Sequence, residues 1–243
     1  MQRRNWMTAV VAAALLVFLL TMTAGCGGGT ATKTAETTQE ESTHEPRAQV
    51  SEAREALELL EFGNKRFADA KYNKKNLGEE RRKALAAGQK PFAVIVSCSD
   101  SRVPPELVFD QGLGDIFIIR VAGNVIDEVG KGSVEYGVEH LGARLVVVLG
   151  HEKCGAVQAT VEGGPTSGSI GSIVSKIQPS IDKAKMSGAE GEGLLEATVD
   201  ENIKESIKAL ETSPILGDEI NKGELLIVGG KYHLESGEVT FSE

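Results

Sequence analysis

The sequence predicts an α/β fold, with a mostly parallel central β-sheet flanked by helices and an N-terminal helical arm. Four short apolar runs show no polar alternation, which is typical of strands buried on both faces of a parallel sheet. The segments between them carry apolar residues at three-to-four spacing, as helices do, and this alternation predicts right-handed crossovers within one sheet. The four runs are Phe92–Val96, Ile116–Ile119, Leu145–Leu149 and Leu225–Val228.

The composition is that of a globular domain behind a targeting segment. With 243 residues, 41% of them hydrophobic, the chain can bury a substantial core. Its formal net charge of −9 argues against a nucleic-acid partner, because phosphate binding needs a basic face. Three cysteines are too few for a disulfide scaffold. We divide the chain into a signal segment (1–26), a polar linker expected to be disordered (27–50) and a folded domain (51–243).

The first 26 residues predict export. The pair Arg3-Arg4 precedes an apolar run, Ala9–Leu20, that is shorter than the roughly 20 residues needed to span a bilayer. The segment Thr23–Cys26 resembles the lipobox of bacterial lipoproteins, although Thr23 stands where leucine is usual. The resemblance implies an exported bacterial protein, periplasmic or at the cell surface, that is anchored to a membrane by a lipid on Cys26. An ordinary secretory signal is the alternative, and Arg3-Arg4 leaves twin-arginine export open.

Helices are predicted at the start of the folded domain and between its strands. Ser51–Ala70 has helical apolar spacing despite Gly63 inside it, and the charged segment Gly78–Ala87 predicts a second helix. Glu238–Phe241 predicts a short edge strand at the end of the chain. Three more helices are indicated by apolar stripes, the last of which ends before Pro214. The stripes are Val134, Val138 and Leu141; Ile170, Ile173, Val174, Ile177 and Ile181; and Leu195, Val199, Ile203, Ile207 and Leu210.

Metal-ligating side chains follow two of the predicted strands. Cys98 comes just after the first apolar run and His151 just after the third, while Cys154 stands three residues later on the turn into a helix. Because the carboxyl ends of parallel strands meet at one edge of a sheet, we expect these side chains to lie together. Two thiolates and one imidazole suit zinc and leave its fourth position open. The sequence therefore predicts a site for one Zn²⁺ per chain.

Asp100 and Arg102 lie in the loop that carries Cys98. Asp100 could take the fourth metal position, or it could pair with Arg102, which would hold the carboxylate away from the metal and lower its pKa. In the second case zinc would carry water and generate hydroxide. An ordinary ion pair within a loop is the alternative for these two residues.

The set Cys98-x-Asp100-x-Arg102 with His151-x-x-Cys154 resembles the β-class carbonic anhydrases. The likeness extends over most of residues 51–243 and includes two further segments, Arg120–Asn124 and Gly132–Tyr136. It implies zinc held by the two cysteines and the histidine, with the Asp–Arg pair gating the fourth position. It also implies hydration of carbon dioxide to bicarbonate by zinc-bound hydroxide, and a homodimer or higher oligomer whose N-terminal helix packs on a neighbouring subunit. Because two thiolates weaken zinc as a Lewis acid, activity is predicted to rise on the alkaline side of neutrality.

Some members of that family carry a regulatory bicarbonate pocket built from a tryptophan, an arginine and a tyrosine. Arg120 and Tyr232 match the arginine and tyrosine, whereas Ile95 stands at the tryptophan position. Arg120 and Tyr232 are therefore a candidate bicarbonate site, but complete bicarbonate inhibition of that kind is not expected.

Three other interpretations stay open at this point. Cys98 and Cys154 could form a disulfide in an oxidising compartment, although that leaves His151 without a role. His140 and His233 are predicted to be helix-surface and loop residues rather than ligands. A catalytically silent relative that binds zinc or bicarbonate at the cell surface is the alternative to the enzyme.

Overall fold

Five strands form one sheet in the computed structural model, which describes residues 50–242. The sheet order is β2-β1-β3-β4-β5, and every neighbouring pair is parallel except β4 with β5. This confirms the predicted α/β class, including the terminal edge strand. The signal segment, Cys26 and the linker up to residue 49 lie outside the described residues. The strands are β1 Ala93–Ser97, β2 Ile116–Arg120, β3 Leu145–His151, β4 Leu226–Tyr232 and β5 Val239–Ser242.

Helices connect the strands and cover both faces of the sheet. All of the predicted helices are present, including the one expected after Cys154, and two short helices that were not predicted, Pro105–Val108 and Pro214–Asn221, are added to them. A three-residue 3₁₀ turn, η1 (Ala122–Asn124), follows β2. The helices of the described part are α1 Ala53–Ala68, α2 Glu79–Ala86, α3 Pro105–Val108, α4 Glu128–Glu139, α5 Gly155–Glu162, α6 Ile170–Met186, α7 Glu192–Glu211 and α8 Pro214–Asn221.

Capping explains where the helices differ from the prediction. Helix α4 begins at Glu128, ahead of Val134, the first residue of its predicted apolar stripe, because the Asp127 carboxylate accepts a hydrogen bond from the Gly130 N–H at 2.7 Å. The sequence reasoning missed α8, which carries Pro214 in its first turn and is capped by the Ser213 hydroxyl. Strand β3 extends past Leu149 to His151 because it stays paired with β4 as far as Tyr232.

The side chains of the sheet alternate between two buried clusters. Ile95 and Val147 point to the face covered by α1, whereas Val94, Val96 and Val148 point to the opposite face, which is covered by the later helices. Both faces are therefore buried, as the continuous apolar runs indicated. Within residues 50–242, every helix is too short or too polar to cross a lipid bilayer.

Candidate metal centre

The predicted ligands meet at the carboxyl edge of the sheet. Strands β1 and β3 are adjacent and parallel, with Ser97 in register with Leu149. Cys98 follows β1 directly, His151 is the last residue of β3, and Cys154 precedes the first residue of α5. Cys98 and Cys154 are 56 positions apart in sequence, but they lie side by side because their strands are neighbours in the sheet.

Three buried ligand atoms converge there. One donor atom each from Cys98, His151 and Cys154 lies within 4.8 Å of the other two, and the three residues are 5%, 0% and 1% exposed. Both cysteines are free thiols with Sγ atoms 3.9 Å apart, far beyond the disulfide distance of about 2.05 Å. Two thiolates at about 2.3 Å from a tetrahedral zinc would be separated by about 3.8 Å. The spacing fits a shared metal better than a disulfide.

The imidazole of His151 is oriented for metal binding through Nε2. Its Nδ1 lies 2.8 Å from the Glu152 carbonyl oxygen, which can only accept a hydrogen bond, so the proton is on Nδ1. The Nε2 atom is buried and has no hydrogen-bond partner among residues 50–242. A buried lone pair without a partner is unfavourable in an apolar core, and a metal ion would satisfy it.

The two thiols differ in their tendency to ionise. The hydrogen bond from Cys154 lowers the pKa of Cys98 to about 4, against the opposing effect of burial, with help from His151 and from the Gly123 N–H. The contact with Cys98 and burial raise the pKa of Cys154, because two buried thiolates side by side repel. Burial opposes protonation of His151, but contact with Cys98 outweighs it and raises the pKa. A divalent cation between the sulfurs would favour the thiolate form of both.

Arg102 holds the Asp100 carboxylate beside this centre. Its Nε and Nη2 donate to Oδ1 and Oδ2 at 2.9 and 2.7 Å, and its backbone N–H donates to Oδ1 at 2.9 Å. The hydrogen bond from Arg102 lowers the pKa of Asp100 to about 2. Asp100 Oδ2 lies 3.8 Å from His151 Nε2, so the carboxylate borders the ligand cluster. Arg102 also approaches the Lys153 carbonyl at 3.4 Å and thereby links the two ligand loops.

The structure keeps Arg120 and Tyr232 apart. Arg120 donates to the carbonyl oxygens of Cys98 and Asp100, at 3.1 and 2.6 Å, and so braces the first ligand loop. Tyr232 is buried on β4, where its ring contacts Phe67. Two strands lie between β2 and β4, which places the two backbones about 14 Å apart. Ile95 is fully buried on the intervening strand β1.

Two supporting contacts were not predicted from the sequence. The Gly123 N–H donates to Cys98 Sγ at 3.3 Å. Glu152, besides holding His151 by its carbonyl, accepts a hydrogen bond from the His233 ring at 2.7 Å. Neither contact can be predicted from the spacing of residues along the chain, because each joins residues that follow different strands. His140 lies exposed at the end of α4, as predicted, and pairs with its neighbour Glu139.

Comparison with known proteins gives a consistent result. Residues 93–239 match the family model described as carbonic anhydrase. A carbonic anhydrase of Mycolicibacterium smegmatis is 41% identical over 189 residues, which cover 76% of this chain and 90% of that relative. The solved structure of the β-carbonic anhydrase CcaA is 30% identical, with a TM-score of 0.63 over 68% of this chain and 85% of its own. A tetrameric β-carbonic anhydrase of the ascomycete Sordaria macrospora shares the fold at 23% identity, with a TM-score of 0.62 over 66% of this chain and 84% of its own.

Proposed function

Because the chain belongs to the β-class carbonic anhydrase family, we propose that it hydrates carbon dioxide at one zinc ion held by Cys98, His151 and Cys154. Family membership identifies the protein as a carbonic anhydrase. What we propose beyond that is which residues hold the zinc and what the neighbouring residues do. The zinc assignment rests on the convergence of three buried donor atoms. One of them, His151 Nε2, has no hydrogen-bond partner in the described part of the chain.

Zinc in this site would lower the pKa of a coordinated water and so supply the hydroxide nucleophile, as in carbonic anhydrases that use three histidines. The protein contributes a dry, prearranged ligand set. Glu152 fixes the proton on Nδ1 of His151, and Gly123 donates to Cys98 Sγ, so both side chains are oriented in advance.

Asp100 and Arg102 are proposed to control the fourth metal position. The Arg102 guanidinium donates hydrogen bonds to both carboxylate oxygens of Asp100. These two bonds keep Asp100 beside the metal position and out of the ligand set. Since the pKa of Asp100 is about 2, its carboxylate stays ionised at neutral pH and can only accept a hydrogen bond. It is therefore suited to orient a donor at the fourth position, while the proton released by the reaction passes to solvent or buffer.

Stopped-flow measurement of carbon dioxide hydration tests the proposal. The zinc-loaded protein should be active, and Cys98→Ser should lose almost all of that activity because a ligand is removed. Equal rates for the two proteins would contradict the assignment and favour the catalytically silent relative.

We also propose that the protein is a homodimer or a higher homo-oligomer. One edge of β2 has no partner strand within the described residues, and Ile116–Ile119 are only half buried there. Phe117 packs on Tyr136, which is 48% exposed on the surface of α4. An apolar open edge favours association with a second copy, and one solved relative is tetrameric. Sedimentation equilibrium of wild-type protein and Phe117→Lys should give an oligomer and a smaller species.

Export and lipid attachment through Cys26 remain proposals from the sequence. Metabolic labelling with a radioactive fatty acid should mark the wild-type protein in the membrane fraction, and Cys26→Ser should be unlabelled. Arg120 and Tyr232 likewise remain a proposed bicarbonate site, in which their side chains would have to reach across the ends of β1 and β3 to contact one anion. Equal sensitivity of wild type and Tyr232→Phe to added bicarbonate would contradict that site.

A further inference from the structure

Cys98 depends on a turn that comes from outside its own loop. Its Sγ accepts a hydrogen bond from the Gly123 N–H at 3.3 Å. Gly123 is the central residue of η1 and has a left-handed backbone, with φ 73° and ψ 19°. Asn124 follows with φ 44°, so two successive residues adopt a conformation that L side chains disfavour. Such a turn keeps its shape only if its surroundings hold it.

Two buried side chains of α7 hold this turn. The Asn202 side-chain amide donates to the Gly123 carbonyl at 2.6 Å, and the Ser206 hydroxyl donates to the Asn124 carbonyl at 3.0 Å. Asn202 and Ser206 are 1% and 5% exposed, so water does not compete for either hydrogen bond. They stand one helical turn apart on α7, whose Val199 and Ile203 are buried in the apolar core.

We infer that Asn202 is a positioning residue for the metal centre, acting through Gly123 on the sulfur of Cys98. This role rests on the proposed zinc site. The Asn202 amide fixes the carbonyl of the same residue whose N–H points at the thiolate, which sets the distance and angle of that N–H. An N–H donated to a coordinating thiolate withdraws charge from the sulfur and orients it. Ser206 donates to the Asn124 carbonyl, which is one residue farther from the N–H that contacts Cys98.

The turn is closely packed, so the Gly123 carbonyl and the Gly123 N–H cannot reorient independently. A side chain at Gly123 would meet Ile177 at 2.9 Å and Ala156 at 3.3 Å, so η1 is packed between α5 and α6. Loss of the Asn202 amide would leave a buried carbonyl without its donor, and the turn would rotate to find another. The Gly123 N–H would then turn away from Cys98.

The experiment compares Asn202→Leu, which keeps the branched side-chain shape and removes the donor, with Thr198→Val as the matched control. Thr198 is a buried polar residue of the same helix, and its hydroxyl donates to the Leu194 carbonyl at 2.7 Å. Zinc affinity is measured by competition with a chromophoric chelator, and the thiolate environment by the near-ultraviolet charge-transfer band of the Co²⁺-substituted protein. We expect Asn202→Leu to bind zinc about 10-fold more weakly and to shift the band. Thr198→Val should retain both the affinity and the band, and urea unfolding should show that each variant still folds cooperatively.

A band and an affinity for Asn202→Leu that match those of the Thr198→Val control would overturn the positioning role. If Asn202→Leu does not fold, Asn202→Ser, whose hydroxyl is too short to reach the Gly123 carbonyl, gives the same comparison. Wild-type protein that binds no zinc would contradict the proposed site itself, and the positioning role with it. The wild-type measurement therefore distinguishes failure of the proposed zinc site from failure of the positioning role alone.

Discussion

Arg102 binds the Asp100 carboxylate through a fork of two parallel hydrogen bonds, from Nε to Oδ1 at 2.9 Å and from Nη2 to Oδ2 at 2.7 Å. This fork leaves Asp100 Oδ2 3.8 Å from His151 Nε2, next to the ligand cluster and outside it. Lysine cannot reproduce the fork, because its ammonium is a single point charge. The pair therefore predicts different outcomes for substitutions that keep the charge and those that remove it.

Replacement of Arg102 by Ala should lower the hydration rate by about 10-fold to 100-fold, because Asp100 would be free to move onto the metal position. Arg102→Lys should lie between Arg102→Ala and wild type. Stopped-flow rates at equal zinc content provide the measurement. A wild-type rate for Arg102→Ala would mean that the pair does not control the site.

Removal of one ligand should abolish metal retention. Purified wild-type protein should hold about one zinc per chain by atomic emission, and Cys154→Ser should hold little, because a neutral hydroxyl is a poor zinc ligand. Cys26→Ser is the matched control, since Cys26 belongs to the signal segment and the same substitution there should leave the zinc content unchanged. Full retention by Cys154→Ser would exclude this cysteine as a ligand.

The hydration rate should rise across about pH 7 to 9, because two thiolate ligands weaken the metal as a Lewis acid. Asp100 does not cause this rise, since its pKa is about 2 and it stays ionised throughout. Asp100→Asn should accordingly be slower but keep the same midpoint in a pH–rate profile. A profile already flat at about pH 6.5 would disprove the expectation.

Asp110→Asn should destabilise the fold by about 3–5 kcal/mol at neutral pH, because it leaves two cations without their buried partner. The Asp110 side chain is fully buried and pairs with Arg66, at 2.6 Å, and with Lys75. Asparagine tolerates the positive φ of this position, so backbone strain is not added. Asp69→Asn is the control, as its ion pairs are exposed and should be worth less than about 1 kcal/mol. Urea unfolding measures both.

The Asp110 contribution should also depend on pH. Burial opposes ionisation of this carboxyl, but hydrogen bonds from Lys75 and Arg66 outweigh burial and lower the pKa. A pKa lowered in the folded state stabilises the fold above the unfolded value of 3.8, and that stabilisation is lost as the pH falls through the folded value. The stability difference between wild type and Asp110→Asn should therefore shrink in acid. A difference that stays constant down to the acid limit would be inconsistent with this linkage.

Gly63→Ala should destabilise the protein by about 1–3 kcal/mol, although alanine is the better helix former. An added Cβ would overlap the Phe109 carbonyl, so α1 depends on glycine for its close approach. Gly132→Ala in α4 is the control, because its Cβ would meet nothing within 4 Å and should stabilise by about 0.5–1 kcal/mol. Thermal unfolding of the two variants should change in opposite directions.

The sequence alone determined the fold class and singled out the three residues of the candidate metal centre. Uninterrupted apolar runs indicate strands buried on both faces, and Cys98, His151 and Cys154 follow such runs, so topology brings them to one edge. The Asp100–Arg102 contact was also predictable, because the two residues are two positions apart in one loop. Each of these features is encoded by spacing along the chain.

Only the tertiary structure decided which groups support the ligands. The Gly123 N–H reaches Cys98 because β1 and β2 are in register, and Asn202 reaches Gly123 because α7 packs across the turn. The separation of Arg120 from Tyr232 likewise follows from the strand order, which places two strands between them. Such contacts join residues that are 25 or 79 positions apart in sequence. Local patterns do not encode them, because they arise from packing between elements whose relative positions depend on the whole sheet.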